Sequence, residues 1–184
     1  MKTILITGSN GLLGQKLVCA LYRDHGYRVI ATSFSPNRMD DEGYEFELMD
    51  VTNKIEVDYM FDKYHPDVAI HTAAMTQVDT CEKKRTECWQ TNVESVKILL
   101  ENARKHNTHL IHLSSDFVFD GTNGPYSEED TLNPLNYYGL SKQESEKLVM
   151  KYTGPWSIIR TSLVYGVNPS LARPNIVLWL RYAL

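Results

Sequence analysis

The feature that most constrains this chain is a glycine-spaced turn, Gly8-Ser9-Asn10-Gly11-Leu12-Leu13-Gly14, directly behind an apolar run, Thr3–Thr7, and directly ahead of an amphipathic stretch. Strand, glycine turn and helix in that order require a backbone that doubles back tightly and then starts a helix. Gly8 permits the turn, Gly11 leaves room for a bulky anion against the backbone, and Gly14 lets helix pack closely on strand. The positive end of that helix then points its free N–H groups at the anion. The pattern is that of a pyrophosphate cradle, and Gly8, Asn10, Gly11, Leu12, Leu13 and Gly14 are its expected contacts.

The rest of the chain repeats the alternation. Short runs rich in Ile, Val and Leu (3–7, 27–32, 44–48, 68–72, 109–114 and 156–160) are separated by helix-periodic stretches at 11–23, 55–64, 86–105 and 137–151. Continuous apolar strands between helices predict a Rossmann-type α/β fold, a doubly wound parallel sheet covered on both faces. Residues 1–166 are expected to form the dinucleotide-binding domain. Residues 167–184 read as the start of a substrate-binding region that is mostly absent, because a helix-like segment reaches Leu184 without a cap. The loop 116–136, with two glycines and two prolines, is long enough to expect a function of it.

Composition narrows the class. With 19 basic and 23 acidic residues the net charge is −4, and no basic run is present, which argues against a nucleic-acid or membrane partner. Three cysteines do not make a disulfide framework, and no stretch nears the length of a membrane helix; a cytoplasmic protein is the expectation. Cys81 and Cys88 are seven apart, and His109 and His112 sit on opposite faces of one strand, so no metal site is expected.

After the second strand, where a carboxylate would bind a ribose 2′-hydroxyl, the chain carries Ser33, with Arg38 just beyond and Arg28 within the strand. A small polar residue near a cation suits a 2′-phosphate, so NADP(H) is favoured over NAD(H). Asp50, ahead of Val51, reads equally as an acceptor for an adenine amino group or as part of a helix cap. Tyr138 and Lys142 are four apart on a helix and share a face. An ammonium beside a phenol lowers its pKa, which makes Tyr138 a candidate proton donor. Tyr137 has only Ser141 at that spacing. Ser114-Ser115-Asp116 closes the fifth strand, where a ligand crevice opens in such sheets, or is an ordinary turn.

These segments together resemble the extended short-chain dehydrogenase/reductases, and more narrowly the dTDP-4-dehydrorhamnose reductase family. The resemblance is carried by residues 7–14, by His71-Thr72-Ala73-Ala74-Met75-Thr76-Gln77-Val78-Asp79, by Ser114-Ser115-Asp116-Phe117-Val118-Phe119-Asp120-Gly121, by Pro125-Tyr126, by Tyr138-Gly139-Leu140-Ser141-Lys142 and by Arg160-Thr161-Ser162-Leu163-Val164-Tyr165-Gly166. It implies reduction of the 4-keto group of a nucleotide-linked 6-deoxy sugar, with Ser115, Tyr138 and Lys142 as the catalytic set. Asp50, Val51, Ala73, Ala74 and Thr76 fall at the family's cofactor positions. So does Asn92, with a structural or relay role, and Tyr138 and Lys142 are counted there too. Val78, Ser115, Asp116, Phe117 and Leu163 are expected on the substrate side. Phe117 stands where the family often has Tyr, and Leu163 where it often has Trp. Homodimerisation is a family expectation. The segment 114–123, with Glu128-Glu129-Asp130, also resembles the regulatory beta subunits of methionine adenosyltransferase, a non-catalytic alternative. A sugar epimerase or dehydratase is a second enzymatic one.

Overall fold

The protein is represented by a computed structural model that describes residues 1–39, 43–167 and 180. Its elements follow the order β1 (Lys2–Thr7), α1 (Leu12–Arg23), β2 (Tyr27–Ser33), β3 (Glu45–Leu48), α2 (Lys54–Tyr64), β4 (Val68–His71), α3 (Val78–Lys83), α4 (Arg85–Trp89), a π-helical turn (Gln90–Glu94), α5 (Ser95–His106), β5 (His109–Ser115), a short 3₁₀ turn (Asp116–Val118), α6 (Tyr137–Met150) and β6 (Trp156–Thr161). The strands form one parallel sheet in the order β3-β2-β1-β4-β5-β6. The chain starts in the middle, winds outward one way, then returns to wind the other. The reversal between β1 and β4 opens a crevice at the carboxyl ends of these strands, where ligands bind in folds of this kind.

Alternation along the strands explains how the two faces are covered. Leu5, Ile30, Ala69 and Leu110 point to one side, against Val57 and Phe61 of α2, Val96 and Leu99 of α5 and Val149 of α6. Ile4, Ile6, Val29, Ala31 and Ile70 point to the other, against Val18 of α1. The expected strands agree with the observed ones to within a residue or so at each end. Two features differ. A short helix, α3, occupies a stretch to which the apolar periods assign no element. The stretch 86–105 is not one helix: α4 and α5 are joined through a π turn. The helix-like segment expected after Gly166 lies, Leu180 apart, outside the described residues. No helix among the described residues is long and apolar enough to cross a membrane.

Candidate active site

The turn after β1 is built as its spacing predicts. Gly8 has φ +69, and a Cβ there would stand 2.6 Å from the Ala73 nitrogen. A Cβ on Gly14 would run into the Gly8 carbonyl and stand 2.7 Å from Ser9 Cα. These two glycines therefore let the turn, α1 and the loop after β4 close on one another. Gly11 is exposed, and α1 starts behind it with no side-chain cap and no acidic residue in its first turn. The N–H groups at Leu12 and Leu13 thus open a helix whose positive end is left for an anion. The residues present fit a dinucleotide pyrophosphate.

Asn10 has a different task. Its amide donates to Ser35 O (3.1 Å), Ser35 Oγ (3.0 Å) and Pro36 O (2.9 Å), and its Oδ1 accepts from Arg38 N (3.1 Å). It staples the glycine turn to the loop after β2, and so fixes where Arg38 stands. Ser33 is buried, with its hydroxyl facing Ser35 N. Arg28 drops out as a phosphate partner. It lies at the other end of β2, paired with Glu45 at 2.7 Å and stacked over Tyr64. Of Asp50, one oxygen accepts from Thr52 N and Thr52 Oγ1 in a turn, while the cap of α2 is Asn53. Val51 is buried beneath it. Ala73 and Ala74 are half-buried and Thr76 exposed along the loop that follows β4.

Ser115 ends β5, beside the C-terminal end of β4, and Tyr138 and Lys142 occupy the first turns of α6. All three are buried. Ser115 Oγ donates to Asp116 Oδ1 (3.0 Å) and accepts from Phe117 N (3.3 Å), capping the 3₁₀ turn. Burial pushes the Tyr138 phenol above its ordinary pKa, while the Ser115 hydroxyl draws it the other way. The expected lowering by Lys142 is not what this arrangement gives. Lys142 Nζ donates to Leu113 O at 2.8 Å, and burial brings its own pKa down to about 8. Desolvation thus sets the direction at both groups, and at neutral pH Tyr138 is a neutral phenol and Lys142 an ammonium. Phe117 meets Tyr138 edge to face, with centroids 5.8 Å apart, and is 44% exposed. Asp116 and Leu163 are exposed, and Val78 packs in the cluster that holds Tyr138. Tyr137 turns away from the site. Its ring lies beside Trp89 and Arg85.

Asn92, expected at a cofactor position with a structural or relay role, points its side chain into the protein. It is 1% exposed, and its amide accepts from Met75 N (2.8 Å) and donates to Met75 O (3.0 Å) and Ser141 Oγ (2.9 Å). It clamps the loop after β4 to α6, from inside the π turn, a distortion common at functional sites. Further contacts hold these residues in place. A Cβ on Gly139 would collide with the Phe117 carbonyl and stand 2.9 Å from Pro134 Cβ, so this glycine sets how closely α6 meets the 3₁₀ turn. Arg160 pairs with fully buried Glu146 at 2.8 Å, donates to Glu128 O, and lies over the Phe119 ring, which ties the loop 116–136 to α6 and β6. That loop is ordered further by Asp120, which accepts from Thr122, Tyr126 and Asn133, and by stacking of Phe119 on Tyr126. Finally, His71 and His112 stack face to face beneath the site, 5.5 Å apart. A glycine inside a helix pattern is the one sequence signal that could have pointed to Gly139.

A doubly wound parallel sheet with a glycine-spaced turn at its reversal defines a Rossmann-type α/β protein. Within that class the sequence matches the family described as RmlD substrate binding domain over residues 1–177, and the chain belongs to that family, the one that includes the dTDP-4-dehydrorhamnose reductases. A dTDP-4-dehydrorhamnose reductase of Aggregatibacter actinomycetemcomitans is 38% identical over 167 residues, covering 90% of this chain and 53% of the relative. Methionine adenosyltransferase 2 subunit beta of Bos taurus is 34% identical over 165 residues, covering 90% and 48%. The crystal structure of dTDP-4-dehydrorhamnose reductase from Bacillus anthracis in complex with NADP superposes with a TM-score of 0.81 at 28% identity, covering 93% of this chain and 57% of the other. The chain spans about half the length of the curated relatives it matches.

Proposed function

We propose that the protein is an NAD(P)H-dependent reductase acting on the 4-keto group of a nucleotide-linked 6-deoxy sugar, of the dTDP-4-dehydrorhamnose type. The observation that carries this is the state of Tyr138. Its phenol is buried and held protonated at the ligand end of the sheet, the form a keto reduction needs from a proton donor. The nicotinamide cofactor, when bound, supplies the hydride. The protein's own residues would do the rest. The turn at Gly8–Gly14 and the amides at Leu12 and Leu13 hold the pyrophosphate. Ser115, once its hydroxyl leaves Asp116, donates to the substrate carbonyl. Tyr138 gives its proton to the oxygen as negative charge develops there. Lys142, as ammonium, steadies the phenolate that remains. Phe117, Val78 and Leu163 line the sugar side.

NADP(H) is the favoured cofactor, supported by Arg38, which Asn10 holds beyond the end of β2, and by the NADP named for the Bacillus anthracis relative. We read residues 1–166 as the cofactor half, and 167–184 as the start of the part that encloses the sugar. Cytoplasmic residence and a homodimer complete the reading.

The test is NADPH oxidation with dTDP-4-dehydrorhamnose, beside Tyr138→Phe. Turnover should fall by about 10²–10⁴-fold in the variant while NADPH binding is retained. Binding of NADPH with no turnover in the unaltered protein would refute the reductase and favour the second reading. In that reading the protein is a dinucleotide-binding regulatory subunit, which the similarity to the Bos taurus protein supports. Co-elution with a methionine adenosyltransferase catalytic subunit would then be expected.

A further inference from the structure

We propose that His65 and His106 form a binding site for a divalent transition-metal ion of the zinc, nickel or copper class, held through their Nδ1 atoms between the C-terminal ends of α2 and α5. The site is on the far end of the sheet from the crevice and is independent of the reductase reading. His65 caps α2 and His106 is the last residue of α5. Their Nδ1 atoms face each other at 3.2 Å, and the rings are tilted, with centroids 5.2 Å apart. Two imidazole nitrogens at 2.0–2.1 Å from a tetrahedral zinc stand about 3.3 Å apart, so the rings already have the separation of a shared metal.

Two further observations point the same way. The other nitrogen of His106, Nε2, lies 3.0 Å from Asp62 Oδ1, and Lys105 Nζ holds that same oxygen at 2.6 Å. A carboxylate behind the distal nitrogen is the usual outer support of a metal-bound histidine. It fixes the tautomer, puts the proton on Nε2 and leaves a lone pair on Nδ1. The ring of His106 is held in place as well, with its side chain only 9% exposed and Phe61 at 6.0 Å. The second observation is the helix geometry. Both helices end in residues with left-handed backbone, His65 at φ 44 and Asn107 at φ 53. Each helix thus ends at one of the two rings, and a negative helix end favours a cation. With no metal bound, the 3.2 Å approach requires His65 Nδ1–H to donate to His106 Nδ1. On binding, that proton moves to His65 Nε2, so both Nδ1 lone pairs face the ion and no proton is lost. Water would complete the coordination.

The test is titration of metal-free protein with zinc chloride and with nickel chloride, followed by calorimetry and by thermal unfolding. One saturable site per chain is expected, with a rise in Tm at saturation. His65→Ala and His106→Ala should each weaken binding at least tenfold and abolish the rise in Tm. Asp62→Asn should weaken binding by about 10–100-fold, because it removes the outer carboxylate. His25→Ala, remote from the pair, should change nothing. Undiminished affinity in His65→Ala, or no saturable binding in the unaltered protein, would overturn the assignment.

Discussion

At the scale of single residues, the site depends less on its reactive groups than on what lets them approach. Gly139 is the clearest case. It follows Tyr138 in α6, where glycine costs about 1 kcal/mol relative to alanine, so its presence needs a steric reason. The reason is the Phe117 carbonyl, which occupies the space a Cβ would take. Gly139→Ala is therefore expected to behave opposite to its helix propensity. Overpacking should lower stability by about 1–3 kcal/mol, because the obstacle is backbone and cannot rotate away. The same push moves Tyr138 from Ser115, so the proposed reductase activity should fall together with Tm. Denaturant unfolding of the variant checks the first part. A stabilised Gly139→Ala protein would mean that α6 does not sit against the 3₁₀ turn in this way.

At the scale of elements, the π turn links three segments through one side chain. Asn92 bonds Met75 on the loop after β4 and Ser141 on α6, so the cradle side and the helix that carries Tyr138 share a fastener. Asn92→Ala would leave the Met75 N–H without its acceptor in a buried place, at about 1–3 kcal/mol for a lost group of this kind. Affinity for NADPH should drop as the loop at Ala73–Thr76 loosens, and fluorescence titration of NADPH measures it. Unchanged affinity with lowered stability would restrict Asn92 to a purely structural role. The sequence made the strands, the cradle and the Tyr138–Lys142 spacing legible, because each rests on a local period or on glycine placement. It could not reveal the π turn, since one extra residue in a helix leaves the apolar spacing of Val93, Val96 and Leu100 almost intact. Nor could it show that Asn10 and Asn92 face inward, because an asparagine near a ligand motif looks the same whether it binds ligand or loop. The direction of the shift at Tyr138 is not legible for a related reason. Spacing puts Tyr138 and Lys142 on one face of a helix but says nothing of how deeply both are buried, and burial decides the sign.

At the scale of the whole molecule, the sheet carries an acid-sensitive element in its middle. His71 and His112 are register partners on β4 and β5, both nearly inaccessible, stacked on each other. His71 Nδ1 lies 2.8 Å from Thr7 Oγ1, and His112 Nε2 lies 2.9 Å from Ser145 Oγ, whose own proton goes to Lys142 O. Each ring is therefore neutral in the folded protein, and His112 Nδ1 is left without a partner. Burial, followed by the nearby Lys142 ammonium, lowers His71 to about 3 and His112 well below 6.5. Below pH 6.5 the unfolded chain takes up protons that the folded chain refuses. Stability is thus fully present above that pH and is lost as the solution is acidified toward 3. Each histidine contributes a slope of about 1.4 kcal/mol per pH unit, so the pair should remove about 4 kcal/mol between pH 7 and pH 5. Paired carboxylates such as Glu47 and Asp58 have lowered pKa values and stay charged over that range, so the loss belongs to the histidines. Urea unfolding at pH 7, 6 and 5 measures it. His112→Gln, with an amide in place of the ring, should start from lower stability at pH 7 but lose only about half as much on acidification, since one titrating group remains. A stability that is flat from pH 7 to pH 5, or a slope unaltered in His112→Gln, would place these rings in a more hydrated environment than the closed sheet provides.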